Sequence, residues 1–250
     1  MHRYFEINKN CQNIRCKTYF TDKNSAEKVI VFCTGFGGHK DNAEKFAERL
    51  LSKNKNAAMV IFDWPSHGDD VKKKLSLDDC TVYLELVMQE AKAMYGTDQL
   101  YAYANSFGAY LVLKYIHEHG DPFVKIALRS PAVYMYGTLM NTIMSSGEND
   151  KLNKGKDVAV GFDRKVVVTR YLLEDLKEYD IRKWDYLDFA EDILILHGTK
   201  DEIIPFEESR EFADNNLIEF VPVEKADHRF QDPVLMSLAS KTVLEFFGMR

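Results

Sequence analysis

The sequence lacks any apolar run long enough to cross a membrane, because such a span needs about 18 or more consecutive apolar residues. Its first ten residues, MHRYFEINKN, also lack the apolar segment of a secretory signal peptide. We therefore expect no membrane span and a cytoplasmic location.

Cysteine is scarce, with four in 250 residues. Cys11, Cys16, Cys33 and Cys80 are too few and too scattered for a disulfide framework in a chain of this length. Neither the cysteines nor the histidines show the spacing of a metal site. We therefore expect free thiols, no metal and no cofactor.

Positive charge is in the minority, and the formal net charge is -6. Proteins that bind nucleic acids or membrane surfaces usually carry clustered positive charge. The one dense basic run is the three lysines at 72–74, which stand beside Asp69 and Asp70 and which we interpret as a solvated loop. We expect no nucleic-acid partner. Formation of a homodimer is an alternative that the sequence leaves open.

Short apolar runs alternate with helical patterns along the chain. A continuous apolar run predicts a strand buried on both faces, and alternation of such strands with helices predicts the α/β class. The expected fold is a doubly wound, mostly parallel sheet of about eight strands, with an antiparallel hairpin over residues 4–20 at its edge. The other strands are predicted at 29–33, 58–62, 100–104, 124–128, 193–196 and 218–221.

The alternation breaks over residues 131–190, which is too long for one crossover helix. We predict a helical cap inserted into one domain that spans residues 1–250. A small cap cannot bury all of its large apolar side chains, so some should form an apolar, partly aromatic substrate pocket. The predicted pocket residues are Tyr134, Met135, Met140 and Trp184. Basic residues of the cap, such as Arg164, could bind a carboxylate-bearing substrate, but exposed surface charge explains them better.

The sequence around Ser106 predicts a tight turn from a buried strand into a helix. Ala104 and Gly108, two positions either side, are small, as the strained turn of a nucleophile elbow requires. A serine hydroxyl becomes a good nucleophile when a histidine takes its proton and a carboxylate orients that histidine. Asp201 and His228 follow later strands, so they are expected at the same edge of the sheet as Ser106.

Four motifs in this order resemble the α/β-hydrolase family. They are TGFGG at 34–38, DWPSHG at 63–68, ANSFG at 104–108, and HGTKD at 197–201 paired with Asp227-His228. The likeness spans nearly the whole chain. The short aromatic cap and the GFGGHK loop are most similar to small bacterial carboxylesterases that include cinnamoyl and feruloyl esterases. Thr34 and Ala104 depart from the family's common histidine and glycine, but neither change removes a catalytic atom.

The resemblance implies that Ser106 is the nucleophile, His228 the general base and acid, and Asp201 the orienting carboxylate. It also implies an oxyanion hole formed by the backbone N–H groups of Phe36 and Phe107. Donors preorganised in this way are worth a few kcal/mol each to the transition state.

Several neighbouring residues compete for these roles. Glu202 and Asp175 are alternative acids, and Asp201 is preferred because residues 200–205 fit the family's acid loop. By the same resemblance, His67 is expected to be structural, and we expect the same of His197, which directly follows a strand.

The implied function is that of a serine esterase. It would cleave a carboxylic ester with an apolar or aromatic acyl or alcohol group through an acyl-enzyme, without a cofactor. A thioesterase or an amide-cleaving serine peptidase would use the same triad, and both stay open. A non-catalytic, ligand-binding protein of this fold is a third alternative, against which the intact triad argues.

Overall fold

The computed structural model of the chain describes residues 1–71 and 73–249. Its strands are His2–Lys9 (β1), Gln12–Phe20 (β2), Lys28–Cys33 (β3), Ala57–Phe62 (β4), Leu100–Asn105 (β5), Lys125–Arg129 (β6), Val158–Val160 (β7), Val166–Val168 (β8), Ile193–Gly198 (β9) and Glu219–Val223 (β10). Its α-helices are Glu44–Lys53 (α1), Leu77–Tyr95 (α2), Phe107–His119 (α3), Met135–Thr138 (α4), Ser146–Asn153 (α5), Arg170–Glu178 (α6), Phe206–Asn215 (α7) and Pro233–Phe246 (α8). A π-helical turn follows at Leu139–Ile143, and 3-10 turns lie at Gly68–Asp70, Ile181–Lys183 and Leu187–Asp192.

Local sequence explains where these elements begin and end. All six residues of β4 are buried, as expected for a continuous apolar run in a central strand. The Ser76 side chain caps the start of α2 by accepting a hydrogen bond from the Asp79 N–H at 3.4 Å. Gly96 ends the same helix in the left-handed conformation, with φ of 66°.

Eight strands form one sheet in the order β1-β2-β4-β3-β5-β6-β9-β10. Strand β2 is antiparallel to both β1 and β4, and the pairs from β4 to β10 are parallel. This confirms the predicted mostly parallel sheet and the antiparallel edge hairpin. Because β3, β5, β6, β9 and β10 run the same way, the loops after them gather at one edge of the sheet.

The two faces of the sheet are covered by different helices. Side chains of α2, α3 and α7 pack on one face in a large core that also includes residues of the cap. Side chains of α1 and α8 pack on the other face in a smaller core. The doubly wound arrangement predicted from the alternation of strands and helices is therefore confirmed.

Residues 131–190 contain helical segments, as predicted, and also the antiparallel hairpin of β7 and β8. The hairpin was not predicted, because its strands have only three residues each. In the described part of the basic run, Lys73 pairs with Asp70 and Lys74 with Asp157. Lys72 lies outside the described residues.

All four cysteines are free thiols, and only Cys11 is exposed. Among residues 1–71 and 73–249, no helix is both long enough and apolar enough to span a membrane.

Candidate active site

Ser106 lies at the turn between β5 and α3 with φ of 51° and ψ of -116°, a conformation that residues other than glycine rarely adopt. Its N–H donates to the Arg129 carbonyl on β6 at 3.0 Å. A Cβ atom added to Gly108 would lie 2.5 Å from the carbonyl oxygens of both Cys33 and Thr34. The start of α3 therefore packs directly on the end of β3, and this is why the turn requires glycine two positions after the serine.

His228 and Asp201 meet in the loops that follow β10 and β9. His228 Nδ1 lies 2.8 Å from Asp201 Oδ2. The carboxylate can only accept, so Nδ1 carries the proton and Nε2 is left with its lone pair. Ser106 and His228 line the same cleft. The structure thus brings together the three residues predicted as nucleophile, base and acid.

The Asp201 side chain is completely buried and is held by four donors. Its Oδ1 accepts from the N–H groups of Ile203 at 2.9 Å and Ile204 at 2.8 Å. Its Oδ2 accepts from His228 and also lies 3.1 Å from His197 Nε2. Burial alone would raise the pKa of Asp201, but the hydrogen bonds from His197 and His228 outweigh it and hold the pKa well below its ordinary value. Asp201 is therefore a carboxylate in the folded protein.

His197 is a contact of the predicted acid that sequence reasoning assigned only a structural role. Its Nε2 lies 3.2 Å from the Ile204 carbonyl as well as near Asp201, and both partners can only accept. Nε2 therefore carries a proton, and Nδ1 is buried without a partner among the described residues. The chain thus places two histidine N–H groups on one carboxylate oxygen.

The loop after β3 approaches the serine closely at Gly35. A Cβ atom added there would lie 3.0 Å from Ser106 Cβ and 3.6 Å from Ser106 Oγ. The N–H of Phe107 belongs to the first turn of α3 and has no partner within the helix. Neither this N–H nor that of Phe36 donates to another group in the described chain. Both predicted oxyanion-hole donors are therefore without a hydrogen-bond partner among residues 1–71 and 73–249.

A buried ion pair fixes the far end of this loop. Asp63 accepts from the Lys40 N–H at 2.7 Å and from Lys40 Nζ at 3.0 Å. Burial opposes the charge of Lys40, but its hydrogen bonds to Asp69 and Asp63 raise its pKa above the ordinary value. His39, Asp63 and Asp69 could together offer ligand atoms to a metal ion, but the Lys40 ammonium already binds two of them. This cluster therefore braces the loop.

His67 packs under the same loop. Its ring stacks on Phe107 with centroids 6.0 Å apart and meets the edge of Phe36 at 5.7 Å. Burial lowers the pKa of His67 to about 4, despite the hydrogen bond from Nδ1 to the Pro65 carbonyl at 2.9 Å. Neutral and inaccessible, His67 supports the aromatic residues around the predicted oxyanion hole, in keeping with the structural role expected from the sequence.

The cleft beside Ser106 has a volume of about 670 Å³. It opens toward the α1 and α8 face of the sheet, with Phe46 of α1 and Met236 of α8 in its walls. The cap contributes Phe162 and Arg164, from the loop between β7 and β8.

None of the four predicted pocket residues is among the described residues that line this cleft. Met135 and Met140 pack with the core on the α2 and α3 face. The Tyr134 ring lies 3.5 Å from the Arg182 guanidinium carbon, and Trp184 stacks on His117 of α3 at 4.3 Å. The predicted pocket and the observed cleft therefore differ, because these cap segments pack on the opposite face of the sheet.

Comparison with known proteins agrees with this geometry. The sequence matches the profile of the family described as serine aminopeptidase, S33, over residues 24–149, about half of the chain. The chain belongs to this family. The match covers the loop after β3 and the serine turn, and the predicted acid and base lie beyond its end. A search of curated proteins finds no match.

Solved structures similar to this S33-family chain share its α/β-hydrolase fold. A proposed hydrolase from Agrobacterium vitis S4 has a TM-score of 0.75 at 14% identity, with 99% of this chain and 98% of that chain covered. Est1E from Butyrivibrio proteoclasticus, solved with ferulic acid bound, has a TM-score of 0.73 at 17% identity, covering 98% and 99%. A monoacylglycerol lipase from Paleococcus ferrophilus has a TM-score of 0.68 at 17% identity, covering 96% and 100%. The α/β-hydrolase resemblance is confirmed by the family and by the fold.

Proposed function

We propose that this S33-family chain is a serine esterase that hydrolyses carboxylic esters through an acyl-enzyme. The observation that carries the proposal is the hydrogen bond of 2.8 Å between His228 Nδ1 and Asp201 Oδ2. It leaves His228 Nε2 as a base on the same cleft as Ser106. A buried carboxylate, an oriented histidine and a serine on a strained turn are the components of a nucleophilic acyl-transfer site.

In the first half of the proposed reaction, Ser106 Oγ forms a bond to the ester carbonyl carbon while His228 Nε2 takes the hydroxyl proton. The π electrons of the carbonyl move to its oxygen, and the N–H groups of Phe36 and Phe107 stabilise this oxyanion. The tetrahedral intermediate then collapses. The bond to the alcohol oxygen breaks, and His228 gives its proton to the departing alcohol.

The second half repeats the same steps with water. His228 takes a proton from a water molecule, whose oxygen attacks the carbonyl carbon of the acyl-enzyme. Collapse of the second oxyanion breaks the bond to Ser106 Oγ, which recovers its proton from His228. Asp201 keeps its negative charge throughout and stabilises the imidazolium form of His228. No step needs a metal or a cofactor.

Amide cleavage is the second candidate, because the family carries the description serine aminopeptidase. An aminopeptidase site must bind the ammonium group of a substrate, which calls for an unpaired carboxylate. In the cleft, Asp41 pairs with Lys17 and Asp163 pairs with Arg229, whereas the exposed Glu44 has no ion-pair partner among the described residues. Arg129, which also lines the cleft, would repel an ammonium group. Arg129 beside the serine turn therefore argues against a peptide N-terminus, Glu44 argues for one, and the substrate comparison below decides between them.

The proposal is tested with short 4-nitrophenyl esters, acyl-CoA thioesters and aminoacyl 4-nitroanilides. We expect turnover of the esters to exceed that of the other two classes. A fluorophosphonate probe should label wild-type protein at Ser106. Ser106→Ala and His228→Ala should each lower ester turnover by about 10³-fold or more and leave the fold intact by circular dichroism. Substantial turnover in either variant would show that another residue performs the step.

The remaining sequence predictions bear on the setting of this activity. We propose one domain over residues 1–250 with the segment 131–190 as its cap. The cytoplasmic location and the homodimer stay predictions.

A further inference from the structure

Four polar atoms along the cleft are buried and have no hydrogen-bond partner among residues 1–71 and 73–249. They are Thr34 Oγ1, Tyr103 Oη, Asn105 Oδ1 and Arg129 Nε. The side chains of Thr34 and Tyr103 are almost fully buried, at 2% and 1% exposed. Buried polar groups in folded proteins are nearly always paired. Four unpaired atoms along one cleft therefore point to a bound molecule that forms hydrogen bonds with them.

The sheet places three of these side chains together beside the serine. Tyr103 and Asn105 are two residues apart on β5, so they point to the same face of the sheet. Arg129 on β6 is the register partner of Asn105 and shares that face. The common face is the one covered by α1 and α8, toward which the cleft opens. Ser106 follows Asn105 directly, so these groups lie next to the predicted nucleophile.

Arg129 carries a charge that no carboxylate balances in the described chain. Its guanidinium carbon lies 5.2 Å from the centre of the Phe230 ring, and Nη1 lies 3.2 Å from Met236 Sδ. These contacts fix the guanidinium but leave its charge unpaired. A partly buried charge without a partner is unfavourable, so the site would gain from an anionic ligand.

The chemistry of the cluster matches a carboxylate. The planar guanidinium binds a carboxylate through two parallel hydrogen bonds, and the hydroxyl groups of Tyr103 and Thr34 can also donate. The Asn105 amide can accept from a substrate hydroxyl, or donate after a half-turn about its last bond. One guanidinium balances the single charge of a carboxylate.

We propose that the cleft contains an anion subsite, with Arg129 as its charged residue, that binds a carboxylate carried by the ester substrate. This inference rests on the proposed esterase function and narrows its substrates to esters bearing a negative charge. The carboxylate can belong to the acyl part or to the alcohol part.

Two pairs of matched substrates test the subsite. Mono-(4-nitrophenyl) adipate and its uncharged adipamate analogue differ at the far end of the acyl part. 4-Acetoxybenzoate and 4-acetoxybenzamide differ in the alcohol part. We expect wild-type kcat/KM to favour the anionic member of at least one pair by about 10- to 100-fold, the range for a hydrogen bond to a charged group. Equal values within both pairs would overturn the proposal.

Substitution of the arginine identifies the residue responsible. Arg129→Met keeps an apolar stem over Phe230 and should lower kcat/KM for the preferred anionic ester by about 10- to 100-fold, while turnover of its neutral partner reports that the protein is folded. Arg129→Lys keeps the positive charge but not the planar guanidinium. Its kcat/KM for the anionic ester should lie between the values for wild type and Arg129→Met. Arg210→Met removes the same charge from the exposed surface of α7 and should change neither rate by more than about twofold. An anionic preference that survives in both Arg129 variants would refute the assignment.

The outcomes separate this proposal from the esterase proposal. Labelling of Ser106 and turnover of neutral esters without any anionic preference would refute the subsite alone. If neither labelling nor turnover occurs, the esterase proposal fails, and calorimetry with adipate decides the subsite. Binding that survives Ser106→Ala but is lost in Arg129→Met supports it. If adipate does not bind, or binds wild type and Arg129→Met equally, the subsite proposal is refuted. The four unpaired polar atoms of the cleft then form their hydrogen bonds with ordered water alone.

Discussion

Replacing Asp201 by asparagine tests the proposed triad through a single atom. Oδ1 of Asp201 accepts from two backbone N–H groups, those of Ile203 and Ile204. In Asp201→Asn the amide oxygen must stay at this position, because an NH2 group there would face two donors. The NH2 group then faces His228 Nδ1, which must become a lone pair to accept from it.

The consequence for His228 is a change of tautomer. With Nδ1 unprotonated, the proton moves to Nε2, and His228 can no longer accept the Ser106 proton. In serine-protease triads the same exchange lowers kcat by about 10⁴-fold, which corresponds to about 5 kcal/mol of transition-state stabilisation. We expect a loss of this order for 4-nitrophenyl ester hydrolysis at pH 7 to 8. The NH2 group also meets the N–H of His197, so the free energy of unfolding should fall by about 1–3 kcal/mol.

Glu202→Gln is the matched control, because it is the same chemical exchange at the adjacent residue. Glu202 Oε2 lies 3.4 Å from the backbone N of His228 and does not contact its ring among the described hydrogen bonds. We expect its rate to stay within about threefold of wild type. The argument is refuted if Asp201→Asn keeps more than a tenth of the wild-type kcat, and the acid is misassigned if Glu202→Gln shows the larger loss.

Three other substitutions probe the surroundings of the site. His197→Phe removes one donor from Asp201 and should lower the free energy of unfolding by about 1–3 kcal/mol in urea titrations, and kcat by about tenfold; an unchanged kcat would mean that His197 is only structural. Gly35→Ala forces its new Cβ to 3.0 Å from Ser106 Cβ, so the loop after β3 that carries the predicted oxyanion-hole donor must shift, and kcat should fall about 10- to 100-fold with KM little changed. Burial raises the pKa of Asp121 from 3.8 to about 6, so the folded protein binds the carboxyl proton more tightly than the unfolded chain does. The cost of ionising Asp121 in the fold therefore grows as the pH rises from 3.8 and is complete above about pH 6. Asp121→Asn should therefore raise the free energy of unfolding by about 1–2 kcal/mol at pH 8, discounted because the carboxyl is only half-buried, and the gain should vanish below the ordinary pKa; a constant gain across this range would contradict the argument.

Much of the fold follows from local patterns in the sequence. The run at 58–62 is apolar at every position, and the structure buries all of β4. The small residues around Ser106 predict the strained turn because Gly108 has no room for a side chain beside the end of β3. The meeting of Asp201 with His228 follows from strand order, since both loops leave the same edge of a parallel sheet.

The substrate cleft could not be predicted in the same way, because it depends on contacts between distant segments. Composition indicates that the cap is rich in large apolar residues, but the face of the sheet on which they pack decides whether they reach the serine. Trp184 packs on His117 of α3, whereas Phe162 reaches the cleft. Arg129 did carry a signal, since a charged residue that ends a buried strand at the catalytic edge is unusual.

The hairpin of β7 and β8 contacts the loops of the site at three places. The Val167 N–H donates to Ser66 Oγ at 2.8 Å, and Asp163 pairs with Arg229, the neighbour of His228. A Cβ atom added to Gly37 would lie 3.3 Å from the Arg164 carbonyl.

The segment that shapes the mouth of the cleft thus also connects the loops that hold the predicted base and the predicted oxyanion hole. Exchanging the hairpin to change substrate scope would therefore alter turnover number as well. An engineered or evolving variant must adjust both together, because two of these contacts come from Asp163 and Arg164, beside Phe162 at the tip of the hairpin.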